Sequence, residues 1–393
     1  MSKLSFAKRM ERMQRSTIRE ILKITKRPEI ISFAGGLPAP ELFPMQAFQD
    51  ALNEALRKEG PASLQYDLTE GYLPLKAFLC QWLARHGLRC RPEEMLLTNG
   101  SQQALDLVGK VFLNPDDRVL VENPTYLGAI QAFNAYEARY CAVSMDASGL
   151  LIEEAEKKIR NDKPKIAYLV PTFQNPSGIT MGRDRRLAFL KLAQKYRLPV
   201  IEDDPYSYLR FSADVQPSLY SLAKGRGVVY LSTFSKILSP GIRLGFVIAE
   251  PEIIEQLVLA KQAADLQTNS LLQRAVYYYG KNGHLDRHIP VITQSYLERA
   301  GIMLAAMDRY FPSPIRWIPP EGGMFVWCTL PKGLSSTTLF KAAVKAGVAY
   351  VTGSVFHANG GGEETLRLNF TNSTPEQIEE GIKRLGKVFS KAL

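Results

Sequence analysis

Between Glu93 and Glu250 the chain alternates short, continuously apolar runs with stretches of helical spacing. The runs are Val119–Val121, Ile166–Val170, Val200–Ile201, Val228–Leu231 and Phe246–Ala249. A strand covered on one face alternates polar and apolar residues, whereas these are apolar throughout and need cover on both faces. Helical patterns separate the middle runs, clearest at Arg185–Tyr196, where Leu187, Leu190 and Ala193 mark one stripe. The pattern predicts an α/β fold, a mostly parallel sheet in a three-layer α/β/α arrangement. Such sheets bind ligands beyond the carboxyl ends of their strands, and several of these runs end in polar residues.

The last third reads differently. Helical stretches around Leu297–Tyr310 and Thr338–Ala346 accompany strand-like pieces at Met324–Leu330 and Leu366–Phe370, which predicts a smaller α+β domain. At the other end, Ser5 to Lys26 has helical character, with Ile18, Ile21 and Leu22 three and four apart, and stops at Pro28. Ala34-Gly35-Gly36-Leu37-Pro38-Ala39-Pro40 is loop. A chain of 393 residues has room for two domains and a large core.

Composition excludes several classes. With 46% hydrophobic and 10% aromatic residues the chain is not intrinsically disordered. No apolar run approaches the roughly 18 residues of a membrane span, so no membrane partner is expected. Cys80, Cys90, Cys141 and Cys328 are scattered without a C-x-x-C pair and read as reduced thiols of a cytoplasmic protein. The net charge of +10 is concentrated partly before Glu29 and reads as a solvated basic face or as attraction for small anions. No secretory signal is visible in the first thirty residues.

The absent motifs are informative. G-x-G-x-x-G, Walker A, H-E-x-x-H and G-x-S-x-G are all missing, and the four histidines show no metal-ligand spacing, so no metal is expected. What remains is a set of polar residues at strand ends. Asn99-Gly100-Ser101-Gln102-Gln103 precedes a helical stripe, and a Gly-Ser turn opening a helix suits a phosphate or is an ordinary N-cap. Phe173-Gln174-Asn175-Pro176-Ser177-Gly178 follows one strand. Ile201-Glu202-Asp203-Asp204-Pro205-Tyr206 puts three acids at the end of another, and strand alternation forbids all three from facing one ligand. Ser232-Thr233-Phe234-Ser235-Lys236 follows a third, with Arg243 behind it. A lysine there is a solvated strand end or an amine activated by burial.

Taken together, Asn175-Pro-Ser-Gly, Asp203 with Tyr206 three residues on, Ser235-Lys236 with Arg243 seven residues on, and a late Arg367 resemble the fold-type I, class I/II aminotransferases that use pyridoxal 5'-phosphate (PLP). The order and spacing agree over nearly the whole chain. The resemblance implies that Lys236 carries PLP covalently and then moves the proton at the substrate Cα. Asp203 would pair with the pyridinium nitrogen, and Asn175 and Tyr206 would hydrogen-bond the phenolic oxygen. Ser101, Gln102, Thr233, Ser235 and Arg243 would surround the phosphate, with Tyr126 stacked on the ring. Tyr66 matches a position that reaches the neighbouring subunit's phosphate, so a homodimer with sites at the interface is implied. Arg367 would clamp the α-carboxylate, near the backbone of Gly36; alone, Arg367 also fits a strand-surface ion pair. The implied domains are a covering helix over residues 1–30, a large domain over 46–285, and a small domain from 31–45 with 286–393.

Ser16-Thr17-Ile18-Arg19-Glu20, the Phe33–Pro44 segment and Gly100–Lys110 are similar to the 2-aminoadipate branch, which includes kynurenine and aromatic aminotransferases. This implies glutamate and 2-oxoglutarate as one substrate pair and 2-aminoadipate as the other donor, with Arg19 meeting the side-chain carboxylate. Leucine, methionine, phenylalanine and tyrosine transamination remain open, as does a PLP β-lyase. A PLP-responsive DNA-binding regulator would need a module before Phe33, where only one helix fits, so no nucleic-acid partner is expected.

Overall fold

The computed structural model describes residues 5–11, 13, 27, 29–212 and 214–393. The expected N-terminal helix lies largely outside them; its described part holds a 3-10 turn at Lys8–Glu11 with no buried residue. The strands are β1 (Ile31–Ser32), β2 (Met95–Thr98), β3 (Arg118–Asn123), β4 (Arg139–Asp146), β5 (Gly149–Leu150), β6 (Ile166–Leu169), β7 (Val200–Asp203), β8 (Val228–Thr233) and β9 (Gly245–Ile248). They continue with β10 (Arg316–Ile318), β11 (Phe325–Thr329), β12 (Val348–Ala349), β13 (Val351–Thr352) and β14 (Thr365–Asn369).

Eight strands form one sheet in the order β2-β9-β8-β7-β6-β3-β4-β5. β8, β7, β6, β3 and β4 run parallel, and β9 is antiparallel to both neighbours. Each of the five apolar runs falls on one of these strands. β6, β7, β8 and β9 are buried at every position, the consequence of helices on both faces. β4 escaped the sequence reading because it lies near the sheet edge and mixes buried with exposed residues.

Pairing brings the polar strand ends level. Gly245 stands opposite both Thr98 and Thr233, and Asp203 opposite Leu231. Gly245 is needed there, because a Cβ would come within 2.8 Å of the Ser232 carbonyl oxygen and 2.9 Å of the Gly100 carbonyl carbon. Helix α1 (Ser101–Phe112) leaves the end of β2 after that row.

Helix α2 (Arg183–Tyr196) corrects the expected stripe. Its buried residues are Arg186, Phe189, Leu192 and Ala193, while Leu187 and Leu190 are only half-buried. An arginine reads as solvent-facing in sequence, yet Arg186 is 0% exposed. It donates to the carbonyls of Met181 (2.7 Å) and Pro171 (2.8 Å) and to Thr172 Oγ1 (2.9 Å). Glu202 lies 3.9 Å from it, and that carboxylate also accepts the Leu219 and Tyr220 N–H groups at 2.8 Å each. Internal acceptors therefore turned a charged residue inward.

The last third forms an antiparallel sheet in the order β10-β11-β14-β13, with β1 and β12 paired in parallel beside it. Arg367 sits inside β14, opposite Trp327 and Val351. The segment after β1 ties in through Phe33, whose N–H bonds Ala349 and whose carbonyl accepts Asn369 N–H, both at 2.8 Å. No helix among the described residues is long and apolar enough to cross a membrane.

The rotated face of α2 is testable in denaturation. Phe189→Ala is expected to cost about 3–5 kcal/mol, as for a fully buried ring, and Leu187→Ala under about 1.5 kcal/mol. Urea midpoints that fall equally for both would restore the Leu187 stripe.

Candidate active site

A cavity of about 370 Å³ opens where the parallel strands end, and residues of both sheets line it. Gly36, Ser101, Gln102, Tyr126, Asn175, Asp203, Tyr206, Thr233, Ser235, Lys236, Arg243 and Arg367 all lie on its wall. Two expected residues do not. Tyr66 is 77% exposed, away from the cavity, and Arg19 lies outside the described residues.

The three acids after β7 diverge as alternation requires. Glu202 turns to Arg186, and Asp204 accepts Tyr230 O–H at 2.8 Å. Asp203 alone lines the cavity. Its Oδ2 accepts the Tyr168 hydroxyl at 2.8 Å, while the buried Oδ1 has no partner. Burial pushes its pKa up to about 7, against the lowering effect of the Tyr168 hydrogen bond. A carboxylate in such a place calls for a cation or proton donor from the ligand.

Lys236 follows β8 by three residues and donates through Nζ to the Gly36 carbonyl at 2.6 Å. Burial, helped by the charges of Arg367 and Arg243, lowers its pKa to about 8. Arg367 is 1% exposed and bridges the two sheets. Nη1 donates to Asn175 Oδ1 (2.7 Å) and Nη2 to the Ala34 carbonyl (2.8 Å), leaving Nε buried without a partner. Phe325 and Phe356 lie under the guanidinium, 4.0 and 5.0 Å from it, which holds a desolvated cation in place. Asn175 in turn donates from Nδ2 to the Tyr206 hydroxyl at 3.2 Å, so one hydrogen-bonded chain joins Arg367, Asn175 and Tyr206.

The opposite corner is built from backbone. Gly100 takes φ +74°, and a Cβ there would meet Arg243 Nη2 at 2.7 Å. It starts α1 without any side-chain cap, so the ordinary N-cap alternative has no hydrogen bond to support it. Arg243, itself left-handed at φ +52°, donates from Nη2 to the Asn99 carbonyl at 3.2 Å. Thr233 Oγ1 accepts the Ser235 N–H at 3.2 Å and fixes the turn that presents Ser235. Gln102 spends its amide on the Gly128 carbonyl at 3.0 Å, and a Cβ on Gly128 would come within 2.5 Å of the Tyr126 ring. An anion suits this corner, where a helix N-terminus and a guanidinium converge.

Sequence reasoning missed Tyr168, Phe325, Phe356 and the Ala34 carbonyl. Tyr168 and Phe325 sit within apolar strand runs and read as core. Only the register of β6 beside β7 shows that Tyr168 reaches the next strand's acid.

The aminotransferase class I and II family model matches residues 31–385. A 2-aminoadipate transaminase of Thermus thermophilus is 47% identical over 99% of this chain and 97% of its own. An aromatic-amino-acid aminotransferase of Thermococcus litoralis is 43% identical over 99% of this chain and 94% of its own. Among solved structures, the Pyrococcus horikoshii kynurenine aminotransferase, determined with PMP, superposes with TM-score 0.94 at 44% identity, covering 99% of this chain and 97% of that one. With a family model spanning most of its length and these relatives along nearly all of it, the chain belongs to the class I and II aminotransferases.

Proposed function

We propose that this aminotransferase is PLP-dependent, exchanging the amino group between an L-amino acid and a 2-oxo acid. Glutamate and 2-oxoglutarate form one pair, 2-aminoadipate is the favoured partner, and aromatic and aliphatic amino acids are also used. The observation that carries the cofactor assignment is the Asp203 carboxylate, buried with an unpartnered oxygen in the same cavity as the Lys236 amine. The cavity wall holds three cations, Lys236, Arg243 and Arg367, against that single carboxylate. This balance suits a phosphorylated, cationic ring together with a carboxylate substrate. The names of the 47% and 43% identical relatives support the acidic and aromatic substrates.

When bound, PLP supplies a carbonyl carbon for amines and a ring that accepts the electron pair left at Cα. The protein residues do the rest. Asp203 holds a proton at the ring nitrogen, and Tyr168 keeps the carboxylate turned towards it. Arg243, Ser101, Ser235 and the N–H groups of α1 bind the phosphate, with Gln102 and Thr233 shaping the turn. Tyr126 covers the ring, and Asn175 and Tyr206 bind its phenolic oxygen. Arg367 binds the substrate α-carboxylate and passes its orientation to Asn175, while Gly36 leaves room at the backbone. Lys236, whose amine pKa burial lowers to about 8, would hold the cofactor's carbonyl carbon and, once displaced by substrate, would move the proton at the substrate Cα.

The proposal extends to assembly and place. Leu64, Tyr66 and Leu68 stand 71, 77 and 63% exposed within one short stretch, and exposed apolar side chains so close together support a homodimer in which Tyr66 reaches the partner's phosphate. We assign residues 46–285 to a large domain, 31–45 with 286–393 to a small one, and residues 1–30 to a cover carrying Arg19. The protein acts in the cytoplasm.

Three measurements test this reading. Addition of L-glutamate or L-2-aminoadipate, without a 2-oxo acid, is expected to bleach the visible band of the PLP-loaded enzyme; a band that both leave intact would refute the acidic-substrate assignment. Arg19→Ala should raise KM about 10–100-fold for 2-aminoadipate, the worth of a charge-assisted hydrogen bond, and much less for leucine. Equal losses for both would remove Arg19 from specificity. In cofactor-free enzyme, trinitrobenzenesulfonate should modify Lys236 at a rate that passes its midpoint near pH 8, where half the amine is neutral, and then levels off. Exposed lysines should keep accelerating past about pH 10. A Lys236 profile matching theirs would contradict a depressed pKa.

A further inference from the structure

Asn99 and Gln103 bracket the Gly100-Ser101-Gln102 turn, yet neither lines the cavity. Both are held by residues from the far side of the sheet edge. Helix α3 (Pro251–Gln262) brings Lys261 to them, and Asp265 follows in the turn after it. Asn99 N–H donates to Gln103 Oε1 at 2.8 Å. Gln103 Nε2 donates to Asp265 Oδ2 at 2.6 Å, and Asn99 Nδ2 donates to the same oxygen. Lys261 Nζ closes the ring, donating to Gln103 Oε1 (2.9 Å) and to Asp265 Oδ1 and Oδ2 (2.8 and 3.0 Å). Lys261 is 0% exposed and spends all three protons inside this ring.

Asp265 keeps 24% of its side chain exposed. An ion pair desolvated on its lysine side adds little to stability, because desolvation offsets the attraction, but it fixes the geometry of whatever it binds. Here Asp265 binds the Asn99 side-chain amide, and Gln103, held by both charges, binds the Asn99 peptide N–H. That residue's carbonyl accepts Arg243 Nη2 at 3.2 Å, and its chain turns at Gly100 into the first turn of α1. The ring therefore sets two things at once: where the α1 N–H groups point and how the Arg243 guanidinium is aimed.

We propose that Lys261 and Asp265, acting through Asn99 and Gln103, are positioning residues for the cofactor phosphate. The inference rests on the PLP assignment made above. Neither residue touches the phosphate. Their effect is confined to the phosphate end of the cofactor, since the ring nitrogen, phenolic oxygen and covalent anchor are held from β7, the Asn175 turn and Lys236.

The test compares PLP with pyridoxal, which has the same ring and aldehyde but no phosphate. Full-length apoenzyme is titrated with each, for the wild type, for Lys261→Met/Asp265→Leu, and for Gln103→Leu, which opens the ring but leaves both charges in place. The double variant removes both charges together and avoids stranding either one. Both variants are expected to bind PLP at least about tenfold more weakly, the scale seen when residues behind a binding shell are removed. Pyridoxal affinity should change by less than about twofold, against that roughly 1.4 kcal/mol for PLP. Should the double variant not fold, Gln103→Leu alone decides. An equal loss for the two ligands, or no loss for PLP, would overturn the positioning role. Failure of the wild type to bind PLP at all would instead overturn the cofactor assignment.

Discussion

One guanidinium holds the site together. Arg367 comes from the small antiparallel sheet, yet its hydrogen bonds go to Asn175 beyond β6 and to Ala34 in the segment after β1. Three separate stretches of chain are thereby fixed relative to one another. The cost of desolvating the cation is visible in its pKa, lowered to about 10. The aromatic rings of Phe325 and Phe356 and the two hydrogen bonds offset that cost, and Nε remains buried without a partner. Because Asn175 also donates to Tyr206, a carboxylate bound at Arg367 would be linked through direct contacts to the Tyr206 side of the cavity.

Electrostatics divides the cavity into regions. Asp203 is the sole acid on the wall, and burial raises its pKa to about 7, so that a cationic neighbour would favour its ionised form at neutral pH. Lys236 is moved the opposite way, towards the neutral amine, by burial and by Arg367 and Arg243. One fold thus holds an acid whose pKa is raised and a base whose pKa is lowered, the pairing that proton transfer at neutral pH requires. Arg243 and the start of α1 make a third region that favours anions.

The large sheet was legible because it is covered on both faces, leaving unbroken apolar runs from Ile166 to Ala249. Much of the site was legible because Asn175, Asp203, Tyr206, Ser235 and Lys236 stand just after those runs, where a parallel sheet puts its ligands, whereas Arg367 reaches it from inside β14. What escaped the sequence has physical causes. Arg186 looks solvent-facing until its carbonyl acceptors are known, so the buried face of α2 was misplaced. Tyr168 looks like core until the register shows it reaching Asp203. Lys261 and Asp265 look like a surface i,i+4 pair, and only the fold brings them to Asn99 and Gln103 across more than 150 positions. Cys80 and Cys90, scattered in sequence, come to 3.4 Å between sulfurs as free thiols. Tyr66 shows the opposite limit: one chain leaves it exposed, and the role proposed for it needs a second chain.

The amine of Lys236, in the cavity it shares with Asp203, is the proposed anchor of the cofactor. Borohydride reduction of the PLP-loaded enzyme followed by peptide mapping tests it directly, because reduction makes the linkage permanent. A phosphopyridoxyl group is expected on Lys236 at close to one per chain and on no other lysine. A label spread over exposed lysines, or an unmodified Lys236 peptide, would contradict it.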